Sequence, residues 1–182
     1  MTELINDFAT VEKARRLADT IQGGGNVRVV AILPIEDRRV GVMLNIGEEE
    51  NLEVGTRLLV YRIDHYTSDG QHIEQPLAVV QVTYVQTENN CSHAVVLDRL
   101  DPEFWDQATM QLKREKHIDP PRNFAMPYMP KELHSLSLED LTTFRQYLET
   151  IHDSLTRIES DQVVYDWTLD KQQLPSYRIS GS

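Results

Sequence analysis

The chain has 182 residues, of which 40% are hydrophobic and 26% charged, with a formal net charge of -11. This is an ordinary globular balance, long enough for one large domain or two small ones, and no apolar run approaches the ~20 residues that a membrane-spanning helix needs. Residues 27–100 hold 6 basic and 11 acidic side chains and residues 101–182 hold 9 and 14; with no cationic cluster to meet phosphates, neither nucleic acid nor an anionic membrane is an expected partner.

The acidity serves solubility. The single Cys91 forms no internal disulfide, and MTELINDFATVEKARR has neither a basic leader nor an apolar signal core. A cytoplasmic location is the expectation.

Residues 2 to about 22 read as an amphipathic helix. Leu4, Phe8, Val11, Ala14, Ala18 and Ile21 recur every three or four positions with charges between them. Gly23, Gly24, Gly25 and Asn26 stop it, so residues 1–26 form an N-terminal helical segment. These glycines run from helix to strand, the reverse of a phosphate-cradling loop.

Residues 27–100 carry five strand patterns: Val27–Leu33, Arg39–Ile46, Arg57–Ile63, Leu77–Gln86 and Cys91–Leu97. The second shows strict alternation, with Val40, Val42, Leu44 and Ile46 on one face. Val42, Leu44, Val60, Val80 and Val95 are the expected core. Short, regularly spaced strands with turn punctuation favour an antiparallel barrel over a parallel α/β sheet. The fold class is therefore α+β: a small five- or six-stranded antiparallel β-barrel flanked by N- and C-terminal amphipathic helices.

The stretch Asn45–Arg62 carries a resemblance. Asn45-Ile46-Gly47, then Leu52-Glu53-Val54-Gly55-Thr56, then Leu59-Val60-Tyr61-Arg62 is similar to the glycine/valine hairpin of small bacterial β-barrel domains. Such hairpins occur in rod-shape-determining proteins and in envelope proteins of curli secretion and flagellar assembly. Here Leu52 stands before Glu53-Val54 where those proteins often have glycine. The resemblance implies barrel geometry; the cell-envelope role does not come with it.

Residues 101–182 hold helices, a proline-rich strap and a C-terminal strand and tail. Asp101-Pro102-Glu103 is a helix start with a cap, a first-turn proline and an acid at the positive end. Phe104, Trp105, Ala108 and Leu112 give this helix an apolar stripe that plugs or covers the barrel. Pro120, Pro121, Pro127 and Pro130 then interrupt regular structure, while Phe124, Met126, Tyr128 and Met129 make the segment too apolar for a free linker. It packs along the barrel as an extended strap or serves as a docking strip.

Ser137, with Asp140 as capping partner, opens the longest periodic element. Leu141, Phe144, Leu148, Ile151, Leu155 and Ile158 are spaced 3, 4, 3, 4, 3, a heptad stripe of about two and a half repeats. It packs on the N-terminal helix or on a second copy of the chain. QVVYDWTLDK alternates again and reads as a terminal strand, whose Tyr165 and Trp167 suit a sheet edge in this chain or a neighbour. Residues 175–182 read as a frayed tail.

No motif points to catalysis. Cys91-x-His93, and His65 and His72 beside Asp64 and Asp69, lack a spacing in which four metal ligands converge. Cys91 has no adjacent base, and no serine lies in a G-x-S-x-G elbow. His117-x-Asp119 and His134-Ser135 are isolated pairs. Glu48-Glu49-Glu50 reads as a solvated turn, because a hard cation needs oxygens spaced to wrap it. Tyr61-Arg62 and Tyr84 could stack bases, but the surrounding acid excess opposes it.

No cofactor is expected. The expected role is a non-catalytic structural or adaptor module that forms a homodimer or docks a protein partner. The binding residues would be Leu141, Phe144, Leu148, Ile151, Leu155, Ile158, Tyr165 and Trp167. The alternative is a small-ligand or nucleotide sensor using the barrel mouth.

Overall fold

A computed structural model describes residues 1–21, 27–35, 39–66, 68–120 and 122–172; the side chains of residues 65, 66, 72 and 160–172 lie outside it. The glycine stop at 23–26 and the tail at 175–182 fall outside the described residues.

The elements are α1 (Thr2–Ile21), β1 (Val27–Ile35), β2 (Arg39–Leu44), β3 (Arg57–Tyr66), β4 (His72–Val85), β5 (Ser92–Arg99), α2 (Pro102–Leu112), β6 (Asn123–Pro127) and α3 (Leu138–Gln172). The six strands close into an antiparallel barrel in the order β1-β2-β5-β4-β3-β6. Closure leaves no open edge to template aggregation.

Alternating apolar residues fill the interior. Val42, Leu44, Val60 and Val80 are each at most 1% exposed and belong to one continuous core. Val95 is buried as well, but it stands outside that core, which takes Ala94 from β5 instead. Period-2 alternation places the two on opposite faces of the strand. Register shifts between Val29 and Ala31 in β1, and between Val60 and Tyr61 in β3, bend the strands, as bulges in small barrels do.

β2 and β3 are not ladder partners. β2 pairs with β1 and β5, whereas β3 pairs with β4 and β6, so Asn45–Thr56 crosses between them rather than turning a hairpin. The acidic run Glu48–Glu50 forms a short 3-10 turn in this crossing. Asn90 clasps it, donating to Glu50 Oε1 at 2.8 Å and accepting from the Glu49 amide at 3.0 Å. The stretch Asp64–Pro76, between the third and fourth strand patterns, is mostly ladder: β3 and β4 continue to the pairs His65–Ile73 and Tyr66–His72.

Two readings of the C-terminal third need correction. The proline-rich segment supplies the strand that closes the barrel, β6, which pairs with both β1 and β3. Pro127 ends that strand, where a missing N–H is tolerated. The alternating stretch 162–171 is not a strand: α3 runs unbroken through it to Gln172. No glycine or proline separates Ile158 from Val163, so nothing stops the helix.

The helix starts follow their caps. Asp101 accepts from the Phe104 amide at 3.3 Å, and Ser137 Oγ from the Asp140 amide at 3.1 Å. α2 places Trp105 in the barrel core, fully buried, with its indole N–H donating to the Leu77 carbonyl at 2.7 Å.

Candidate interaction surface

α1 is the bridge between barrel and C-terminal helix. Val11, Ala14 and Leu17 are buried, and Leu17 joins the barrel core. Lys13 Nζ donates to the Val54 carbonyl at 2.8 Å, and Arg16 Nε meets Glu53 Oε2 at 2.7 Å, fixing the helix over the β2–β3 crossing. Its other side receives α3. Phe8 stacks on Phe144 with centroids 5.9 Å apart and planes 10° from parallel. Glu12, only 3% exposed, meets Arg145 Nε at 2.5 Å. Arg15 Nη2 donates to the His134 carbonyl at 2.7 Å.

Phe8 against Phe144 and Arg15 against His134 set the helices antiparallel. The consequence is a length mismatch. Only six residues of α1 precede Phe8, whereas 28 residues of α3 follow Phe144. At ~1.5 Å per residue, roughly 33 Å of α3 projects past the start of α1.

The apolar stripe divides accordingly. Leu141 is fully buried, and Leu148 and Ile151 are half-buried. Phe144 is 51% exposed despite its stack, Leu155 45% and Ile158 56%. Tyr147, missed by the heptad reading because it lies off the stripe, is 62% exposed beside them. Tyr165 and Trp167 lie on the α3 backbone, and their side chains fall outside the described residues.

The other titratable candidates are engaged locally. Cys91 Sγ contacts Gln86 Oε1 at 2.7 Å, and His93 meets the Tyr84 ring edge-on with centroids 5.9 Å apart. His117 and Asp119 approach to 3.7 Å on the surface. His134 Nε2 bonds the Met129 carbonyl at 2.8 Å. Tyr61 is 9% exposed and stacked on Phe124, so its ring is not presented to solvent as a base-stacking platform. Burial, with a smaller contribution from Glu74, raises its pKa above the ordinary value. Among the described residues, no helix is long and apolar enough to cross a membrane.

Compared with protein-family models, curated proteins and solved structures, the chain matches none.

Proposed function

We propose that the chain is a non-catalytic association module in which the barrel and α1 form a rigid base and the projecting part of α3 pairs with a second copy. One observation carries this reading: α3 outruns the helix that covers it while Leu155 and Ile158 continue the stripe uncovered. Large apolar side chains left in water at heptad spacing favour a partner helix of matching period. The unbroken helix also lengthens the repeat. The spacing of 4 and 3 continues from Ile158 through Gln162, Tyr165, Leu169 and Gln172, beyond four heptads from Leu141. A polar residue such as Gln162 at one core position costs stability and fixes register, a recurrent device of coiled-coil pairs.

Sedimentation equilibrium at tens of micromolar should give twice the chain mass. Replacing both Leu155 and Ile158 with Glu should give a monomer with an unchanged strand signal in circular dichroism. A monomeric parent protein at that concentration sinks the proposal.

A further inference from the structure

A cleft of about 250 Å³ lies between α2 and the chain around Ile118 and Pro120 that leads into β6. Phe104 and Ile118 contribute apolar walls; Arg62, Gln107, Gln111 and Asn123 contribute polar groups. The walls are held firmly. Ile118 exchanges two backbone hydrogen bonds with Ile32 of β1, at 2.8 and 3.0 Å, and the Phe104 ring is set edge-on against Trp105 at 4.9 Å.

Asn123 supplies an amide edge that the fold does not use. It is 3% exposed, yet its side-chain amide makes no hydrogen bond to any described residue. The fully covered side-chain polar atoms without a partner among the described residues are Arg15 Nε and Ser92 Oγ, so the Asn123 amide keeps contact with solvent at the cleft, where a ligand can take the place of water. The charge of Arg62 is already answered: Nε donates to Asp64 Oδ1 at 2.7 Å and Nη2 to Gln75 Oε1 at 2.6 Å. The cleft thus offers hydrogen-bonding edges without an uncompensated cation, inside a chain of net charge -11 that repels anions.

A carboxamide presents one donor and one acceptor in a single plane, and its best complement is another planar donor–acceptor edge, as in asparagine reading a base edge. We infer that this cleft binds a neutral, planar molecule of nucleobase size, with an amide-type edge on Asn123 and its ring against Phe104 and Ile118. The volume accommodates one such ring.

Nicotinamide, uracil and nicotinate are the probes, followed by titration calorimetry and ligand-detected NMR. Nicotinate has the ring of nicotinamide with a carboxylate in place of the amide. Nicotinamide or uracil should bind saturably, with nicotinate at least tenfold weaker. Asn123→Leu should weaken the neutral probe at least tenfold while keeping a cooperative melt close to the parent's, because the amide makes no hydrogen bond to another described residue. Gln107→Trp, an exposed change at the cleft, should weaken it as well. Absence of saturable binding by both neutral probes, or nicotinate binding as tightly as nicotinamide, overturns the inference. So does full binding in Asn123→Leu or in Gln107→Trp, or a melting temperature of Asn123→Leu far below the parent's, which would make the amide structural.

Discussion

Arg145 on α3 and Glu12 on α1 form a near-buried ion pair, with Nε–Oε1 at 2.5 Å and side-chain exposures of 22% and 4%. It is the polar anchor of the antiparallel helix pair. The hydrogen bond with Glu12, then that with Glu149, raises the Arg145 pKa above its ordinary value, so the guanidinium stays charged. The sign follows: this stabilisation is fully present below the unfolded pKa and lost only as pH climbs through the folded one.

Removing Arg145 should therefore be worse than removing the pair. Arg145→Met leaves the Glu12 carboxylate covered with only Arg16 Nη1, at 3.7 Å, to answer it. The expected cost is about 1–3 kcal/mol, less than for a fully buried pair because Arg16 remains and Arg145 is partly solvated. The double variant Glu12→Leu with Arg145→Met should recover part of that loss in urea titration. If its cost equals the sum of the single losses, the coupling does not exist.

A second prediction concerns the close approach of β2 to β5. A Cβ on Gly41 would stand 2.8 Å from the Ala94 carbonyl oxygen and 2.2 Å from Ile35 Cδ1. The isoleucine methyl can rotate away, whereas the β5 backbone moves only with its ladder, in which Gly41 faces Val95. Gly41→Ala should destabilise by about 1–3 kcal/mol, as overpacking does. A melting temperature equal to the parent's would mean that the two strands lie farther apart.

The barrel was legible because alternation and turn punctuation are local signals, and five of its six strands announce themselves that way. β6 was not, because a five-residue strand set among Pro120, Pro127 and Pro130 has no pattern of its own. It exists because β1 and β3 offer it two ladders, and pairing between distant segments leaves no local mark. The end of α3 was misread for the opposite reason. Val163, Tyr165, Trp167 and Leu169 alternate and favour strands by type, yet Tyr165 and Leu169 also fall in the heptad register, and an unbroken helix already led into them. Of the stripe, the sequence could show the period but not where along α3 the cover given by α1 ends. Asn123 carried no signal, since its setting arises only when α2 and β6 meet.

The split stripe gives a third prediction. Leu141 is fully buried and Leu155 is 45% exposed, although both occupy equivalent heptad positions. Leu141→Ala should cost about 2–5 kcal/mol at any protein concentration. Leu155→Ala should leave the dilute chain within ~0.5 kcal/mol of the parent, as exposed substitutions do, and should weaken self-association as concentration rises. Equal losses at both positions under dilute conditions would show that the far half of α3 is covered within its own chain.

The last prediction is one of pH. Tyr61 is buried between its strand partners and stacked on Phe124, and burial, then Glu74, holds its pKa above the usual value of 10.0. The folded protein therefore keeps the phenol proton more tightly than the unfolded chain. The resulting stability is complete below pH 10.0 and is lost as pH rises through the folded pKa. Tyr61→Phe removes the titrating group but keeps the ring that packs on Phe124. Melting temperatures of the parent and the variant should change in parallel from pH 7 to about 9, then diverge, the parent falling faster above its ordinary tyrosine range. Parallel curves up to pH 11 would mean that Tyr61 titrates as an exposed tyrosine does, and that the β3–β6 seam admits water.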